Sequence, residues 1–248
     1  MRACWNRTEY TRRFTDINSR SKQQMKIEDI LARVDHTLLS RTAVWEQIRE
    51  MCDDGIKYGT ASVCIPPCYV EQAARYMRQI GRAVPICTVI GFPNGYSTAA
   101  VKVYEASEAL ESGADEIDMV INTCILRAGG FSTVEDEIRA VKCTCGKSIL
   151  KVIIETCLLT EAEKIKMCEI TAAAGADFIK TSTGFAGGGA TFEDVALLRK
   201  YSPRELRVKA AGGIQSIADA EKFIELGADR LGTSRIVAEV KSAETAAR

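Results

Sequence analysis

The sequence predicts an α/β fold of the (β/α)8 class, a TIM barrel forming a single domain with a short N-terminal helix before strand 1. Two observations predict it. The first is a recurrence of short apolar runs of β type, at Val34–Leu38, Ala61–Ile65, Val84–Ile90, Glu116–Ile121, Leu150–Glu155, Phe178–Thr181, Leu206–Ala210 and Arg230–Gly232, with helical patterns between them. The second is an internal echo. Gly113-Ala-Asp, Gly175-Ala-Asp and Gly227-Ala-Asp each close a helical pattern and open a strand, the fourth, sixth and eighth. A glycine suits the left-handed position just past a helix end, so three such tripeptides fit one repeated helix-to-strand junction. Eight units in about 225 residues make a compact barrel, since the usual size is about 250. A doubly wound open sheet is the alternative that periodicity leaves standing. Against it, no GxGxxG follows the first strand.

Each element follows from its residues. Met25 to Leu31 carries Ile27, Ile30 and Leu31 at helical spacing and leads into Arg33-Val-Asp-His-Thr-Leu-Leu39. The helix from Ser216 to Leu226 shows the pattern clearly: Ser216 caps it, Asp219 suits its positive N-terminal end, and Ile217, Ala220, Phe223 and Ile224 form one apolar stripe. Residues 1–24 differ. They hold six Lys/Arg, two acids and little apolar periodicity, and are expected to be a mobile basic tail, with residues 25–248 forming the barrel. An organelle-targeting role for that tail is disfavoured by Glu9, Asp16 and the missing amphipathic stripe.

Bulk composition narrows the function. The 248 residues are 46% hydrophobic and 27% charged, with 33 basic and 33 acidic residues and so a formal net charge of zero. Nothing in that balance asks for nucleic acid or an anionic membrane, and no apolar run has the length of a membrane span. Ten cysteines are scattered, none in a CxxC pair, and His36 is the single histidine, so no metal site is expected. The cysteines are expected to be reduced and mostly small core residues of a cytoplasmic protein.

The charges within the strands carry the chemistry. Side chains alternate along a strand, and barrel active sites sit at the C-terminal strand ends. Phe178 and Lys180 share a face of the sixth strand, Asp118 and Val120 a face of the fourth, and Lys151 and Glu155 a face of the fifth; Lys209 lies near the end of the seventh, Asp35 and Thr37 on the first, and Cys64 on the second. A buried charge costs several kcal/mol unless paired. Two lysines and at least two carboxylates converging on one end therefore point to a site rather than to a structural salt-bridge network. A lysine in low dielectric beside a second cation is expected to lose its proton more readily, freeing an amine to attack a carbonyl. Asp118 would partly neutralise Lys209 and could relay protons. The loops Gly212-Gly-Ile214 and Gly232-Thr-Ser234, each near a helix N-terminus, suit a phosphate.

Val34-Asp-His-Thr-Leu-Leu39, Val89-Ile-Gly-Phe-Pro93, Glu116-Ile-Asp-Met-Val-Ile-Asn122, Lys151-Val-Ile-Ile-Glu-Thr156, Asp177-Phe-Ile-Lys-Thr-Ser-Thr-Gly184, Val208-Lys-Ala-Ala-Gly-Gly-Ile214 and Gly232-Thr-Ser234 resemble the motifs of the deoxyribose-phosphate aldolase family. They run in family order across nearly the whole barrel. The resemblance implies a class I aldolase, a lyase that cleaves 2-deoxy-D-ribose 5-phosphate reversibly to D-glyceraldehyde 3-phosphate and acetaldehyde in deoxyribose phosphate catabolism. It implies no cofactor, a small phosphorylated sugar as partner, and a homodimer. By matching positions, Lys180 is the Schiff-base lysine, and Asp118 and Lys209 move protons and tune it. Thr37 and Thr183 contact the sugar, Gly184, Gly213 and Ser234 lie in phosphate loops, Cys64 lines the pocket, and Glu155 supports. His36 is expected to face the helices. Departures from the family are Pro66-Pro67 after the second strand, Arg235 in place of a small residue, and Glu244-Thr-Ala-Ala-Arg248, where some members end in a tyrosine that reaches the site; such a relay is expected to be absent or replaced. Two rival readings are a Schiff-base aldolase for another phosphorylated aldehyde and a barrel that binds without catalysis. Retention of Lys180, Asp118 and Lys209 argues against the second.

Overall fold

The computed structural model describes residues 25–246; the expected basic tail, residues 1–24, lies outside them. Eight parallel strands close in the order β1 to β8, because β1 pairs with both β2 and β8. They are β1 (Val34–Thr37), β2 (Ser62–Cys64), β3 (Ile86–Ile90), β4 (Glu116–Val120), β5 (Ile149–Ile153), β6 (Phe178–Lys180), β7 (Arg207–Ala211) and β8 (Arg230–Thr233). The helix before them is α1 (Ile27–Leu31). Around the barrel run α2 (Trp45–Tyr58), α3 (Val70–Gln79), α4 (Ala99–Glu111), α5 (Thr123–Arg127), α6 (Phe131–Cys145), α7 (Glu161–Ala173), α8 (Phe192–Tyr201), α9 (Ile217–Glu225) and α10 (Arg235–Ala246).

Most strand ends lie within one residue of the sequence reading; two differ by two residues, for local reasons. β3 starts at Ile86 rather than Val84, since Pro85 has no N–H to give to a ladder. β5 stops at Ile153: Glu155 has φ of 53°, and a left-handed residue cannot continue a strand. Lys151 and Glu155 therefore do not share a strand face as expected.

Most of the apolar core lies between the strands and the helices. Outward-facing Val34, Val63, Ile117, Met119, Leu150, Val152, Ile179 and Val208 meet helix residues such as Ile48, Ala106, Ile138, Met167 and Leu198, all fully buried. The interior of the barrel holds a small separate apolar cluster, Cys64, Cys87 and Val89, with Leu39 and Phe92 packed over it, and the buried ring of Phe178 beneath the charges. Stability is thus carried by the outer layer, which leaves the interior free for charge. α9 forms as its sequence implies: Ser216 Oγ accepts from the Asp219 N–H and the Asp219 carboxylate accepts from the Ser216 N–H, 3.1 and 3.0 Å.

The Gly-Ala-Asp echo has a structural cause beyond its glycine. Gly113, Gly175 and Gly227 have φ of 109°, 78° and 103°. Each following aspartate binds back to the preceding odd strand with both its groups. The Asp115 N–H donates to Ile86 O and its carboxylate accepts from the Ile86 N–H, both at 2.8 Å. Asp177 does the same with Leu150 at 3.0 and 2.9 Å, and Asp229 with Val208 at 2.8 and 2.8 Å. A two-point clamp thus sets the register of β4, β6 and β8 at their N-terminal ends. Before β2 the corresponding residue is Ala61, whose N–H still donates to Val34 O at 2.9 Å but which has no carboxylate.

Of the ten cysteines, the nine within the described residues are free thiols; Cys52, Cys64, Cys87, Cys145 and Cys168 are buried, while Cys68, Cys124, Cys143 and Cys157 are exposed, so the expectation of mostly core thiols holds for only about half. Among the described residues no helix is long and apolar enough to cross a membrane.

His36 points outward from β1 toward α2, as expected. It is buried, with Nε2 3.8 Å from Asp54 Oδ2, and Asp54 is itself held by Lys241 of α10 at 2.8 Å. Burial outweighs the pull of Asp54, and with Lys241 nearby the imidazole is pushed down to about 4. A group whose folded pKa lies below its unfolded value supports stability above the unfolded value, near 6.5, and that support is lost as pH falls toward 4. Urea unfolding should therefore show wild type losing on the order of 2 kcal/mol more than His36→Gln between pH 7 and pH 5. Equal losses in the two proteins would contradict it.

Candidate active site

Every strand contributes an inward side chain to one charged array. Asp118 of β4 is its hub. Its Oδ2 accepts from Lys180 Nζ and Lys209 Nζ, each at 2.7 Å, and its Oδ1 from Lys151 Nζ at 2.8 Å and the Cys87 thiol at 3.1 Å. The register puts Asp118 opposite Lys151 and Lys180 opposite Lys209. Below this level Lys209 also binds Asp35, Lys151 binds Glu116 at 2.6 Å, and Arg230 bridges the two carboxylates, Nε to Asp35 at 2.7 Å and Nη2 to Glu116 at 2.9 Å. Ser62 Oγ donates to Asp35 at 2.8 Å. The chain of contacts from Arg230 through Asp35, Lys209 and Asp118 to Lys180 thus runs the length of the barrel interior.

Burial and charge oppose each other here, and charge wins. Burial alone would raise Asp118, but the ammonium groups of Lys151, Lys180 and Lys209 hold it well below the usual carboxylate range. Burial likewise opposes the charged form of Lys209, yet Asp118 and Asp35 hold it above the ordinary lysine value. Lys151 is raised in the same way, by Asp118, Cys87, Asp35 and Glu116 against burial. Asp35 is lowered by Lys209, Lys151 and Arg230 in spite of burial. Lys180 differs from the other two lysines in its contacts. Its ammonium meets one carboxylate oxygen, already shared with Lys209, whereas Lys151 and Lys209 each meet two or more carboxylates. It is also the lysine that reaches the open end: Lys180 lines a cavity of about 220 Å³ at the C-terminal ends of the strands.

That cavity collects most of the residues expected at the site. Thr37, Thr183, Gly213 and Ser234 line it with Lys180, together with Gly212, Gln215, Thr233 and Arg235. Gly184 stands at its edge: a Cβ on Gly212 would come within 3.5 Å of the Gly184 Cα. Gly212 and Gly213 both have positive φ, 77° and 78°, and the Cβ of a residue at 212 would be 3.1 Å from Gly189, so glycine is required where the two loops meet. Cys64 is placed differently from the expectation. It is fully buried beneath the cavity, against Cys87 and Val89, and does not line it. The neighbouring Cys87 thiol lowers that of Cys64, against burial, while burial raises Cys87.

Glu155 supports, as expected, but from a loop. Its buried carboxylate accepts from the Thr183 N–H at 3.2 Å and from the Thr183 hydroxyl, and Thr183 Oγ1 in turn accepts from the Phe185 N–H at 3.0 Å. The turn after β6 is thereby pinned. Pro66-Pro67 opens a single 3₁₀ turn whose Tyr69 hydroxyl donates to Ala43 O at 2.9 Å.

The sequence reading passed over several partners. Glu116 shares the parity of Asp118, Cys87 that of Val89, and Arg230 that of Gly232, so period two alone could have placed all three inside. Lys102 was harder to see. It is fully buried on α4, donating to Glu137 Oε1 and to Gly95 O, both at 2.7 Å, while Glu137 Oε2 accepts from the Asn122 N–H at 3.0 Å. This pair ties the loops after β3 and β4 together at the rim. Its signal is a lysine in the stripe Ala99, Lys102, Ala106, Ala109, the face a helix buries. Thiol and carboxylate groups that could suit a metal are Cys64, Cys87 and Asp118, or Asp35, Cys87 and Glu116; of these Cys87, Asp118, Glu116 and Asp35 meet the Lys151 ammonium, which fills the cation's place.

The comparisons agree with this geometry. The model of the DeoC/LacD family of aldolases matches residues 29–241. A deoxyribose-phosphate aldolase of Streptococcus agalactiae is 57% identical over 218 residues, 88% of this chain and 96% of the relative. One of Streptococcus pyogenes is 56% identical over 221 residues, 89% of this chain and 98% of the relative. A solved structure, described as a unique tetrameric structure of deoxyribose phosphate aldolase from Aeropyrum pernix, superposes with a TM-score of 0.79 at 32% identity, covering 89% of this chain and 94% of that one. With a closed eight-stranded barrel, an inward lysine at the end of β6 and a family match over nearly the whole described chain, this protein belongs to the DeoC/LacD family of aldolases.

Proposed function

We propose that the protein is a class I aldolase cleaving 2-deoxy-D-ribose 5-phosphate to D-glyceraldehyde 3-phosphate and acetaldehyde, with Lys180 as the nucleophile. The observation that carries the reading is the shared oxygen: Lys180 and Lys209 both meet Asp118 Oδ2 at 2.7 Å, and of the three only Lys180 reaches the cavity above, whose far wall is glycine loops and helix N-termini. The relatives' activity supports the substrate.

The steps follow from that arrangement. The free amine of Lys180 adds to the C1 aldehyde of the open-chain sugar, and loss of water gives a protonated imine. Asp118, with Lys209 behind it, takes and returns the protons of that dehydration. The iminium then withdraws the electron pair of the C2–C3 bond as the C3 hydroxyl gives its proton to Asp118, so glyceraldehyde 3-phosphate leaves and an enamine remains, which takes that proton up in the next step. Protonation of the enamine at its terminal carbon and hydrolysis of the imine release acetaldehyde and restore Lys180. Fixed charges in a dry interior stabilise the iminium without reorganising. Thr37 and Thr183 are proposed to hold the sugar hydroxyls, and Gly184, Gly213 and Ser234 the phosphate. Cys64 is proposed to act from below, packing under the site rather than touching substrate.

Homo-oligomeric assembly in the cytoplasm is proposed with it. The resemblance suggests a homodimer, the Aeropyrum pernix relative is described as tetrameric, and free thiols suit a reducing compartment. Light scattering should give a multiple of 27.1 kDa, and a mass of one chain would contradict assembly.

A coupled assay for glyceraldehyde 3-phosphate tests the function. Wild type should turn over in the presence of a chelator, Lys180→Ala should lose turnover while keeping its fold by circular dichroism, and Asp118→Asn should lose roughly 10²–10⁴-fold in kcat, the usual scale for a positioned proton-transfer group. Full activity in Lys180→Ala would remove the imine mechanism. Activity confined to another phosphosugar in a panel would keep the mechanism and change the substrate.

A further inference from the structure

Cavities open at the C-terminal ends of the strands, and three of them differ in charge. One is lined by Leu39, Val89 and Phe92 with Arg41 and the Glu105 carboxylate, and a second by Asn94 and Val120 with Arg41 and the Glu155 carboxylate, so each pairs one cation with one acid. The third, which holds Lys180, is lined by no carboxylate among the described residues. Its cations are Lys180 at the floor and Arg235 at the rim.

Arg235 is the first residue of α10 and is exposed. Its N–H donates to Thr233 Oγ1 at 3.0 Å, which fixes the backbone there. Its guanidinium makes no hydrogen bond or ion pair with any described residue. The carboxylate one turn on, Glu239, accepts instead from the Ile217 N–H at 3.1 Å. Every other cation of the charged array inside the barrel is matched to a carboxylate. Arg235 thus presents an unmatched charge at the entrance to a cavity free of acids, beside the left-handed Gly212 and Gly213, whose backbone bears no Cβ to keep an anion away. Lys180 cannot supply the anion's charge during turnover, because its nitrogen is committed to the imine.

We propose that Arg235 is a specificity-determining residue. Its guanidinium pairs with the phosphate of the substrate and sets how strongly a phosphorylated sugar is preferred over the same sugar without phosphate. This deepens the aldolase reading above and rests on it. Guanidinium suits the task because it meets phosphate oxygens through two parallel N–H donors and stays charged at all working pH values. The amides of the glycine loops position the anion, and Arg235 adds the charge that they lack.

The test is the ratio of kcat/KM for 2-deoxyribose 5-phosphate to that for 2-deoxyribose, in wild type, Arg235→Gln and Arg235→Lys. A hydrogen bond to a charged group is worth about 1.5–3 kcal/mol, which converts to roughly a 10- to 100-fold fall in the ratio for Arg235→Gln. Arg235→Lys, keeping charge but not the fork, should fall less. Calorimetric titration of each protein with inorganic phosphate judges Arg235 apart from catalysis, with weaker binding expected in Arg235→Gln. A ratio and a phosphate affinity within twofold of wild type, or a loss shared equally by both sugars, would overturn the proposal. Wild type that binds phosphate through Arg235 yet cleaves neither sugar would refute the aldolase reading and leave the anion site standing.

Discussion

Asp118 has two carboxylate oxygens, and three ammonium groups and a thiol compete for them. Two lysines on one oxygen and one on the other is more positive charge than a single anion can neutralise, so the remaining carboxylates, Asp35 and Glu116, must take up Lys209 and Lys151 from below, with Arg230 knitting them together. The result is graded. The two lysines deeper in the barrel are each bound by several anions. The one nearest the mouth is bound by a single shared oxygen and is the one the cavity exposes to a ligand. Chemistry at Lys180 depends on this gradient, and the gradient depends on Asp118 standing on an inward face of β4 at the level of the lysines on β5, β6 and β7.

Such an interior is an odd choice for stability. Each buried ion loses hydration worth several kcal/mol, and replacing paired charges by apolar side chains of like volume is often neutral or favourable. The barrel can carry the cost because its apolar packing lies elsewhere, in the layer between strands and helices. The aspartates of the Gly-Ala-Asp junctions serve the same end, since they clamp β4, β6 and β8 to β3, β5 and β7 at the opposite end from the site. A slip of one residue in any strand would turn its inward charge out into the apolar layer. A two-point clamp at the N-terminal end is a direct way of preventing that.

Much of this was legible in the sequence, and what was not has physical reasons. Hydrophobic periodicity gave all eight strands, and alternation put Lys180, Asp118 and Lys209 inside, because both depend on local geometry. Glu155 escaped the alternation rule because one left-handed residue ends β5, and nothing in Ile153-Ile-Glu155 marks a residue that will adopt positive φ. Cys64 was expected in the pocket wall, but the strand end stops short of it, with Leu39 and Phe92 packed above. Lys102 and Glu137 lie on helices α4 and α6, far apart in the chain, and only tertiary packing reveals that each is the other's partner. Arg235 stood out in the sequence as a departure from its family, but that its guanidinium has no partner among the described residues is a property of three-dimensional surroundings alone.

The proposed chemistry stands or falls on Lys180, and not one of its two neighbours, forming a covalent imine with the sugar. Reduction with borohydride in the presence of 2-deoxyribose 5-phosphate, followed by intact-mass measurement and peptide mapping, tests it most directly. One reduced adduct per chain is expected, on the peptide bearing Lys180. An adduct on Lys209 or Lys151 would overturn the assignment of roles, and a folded protein that traps no adduct would contradict the mechanism itself.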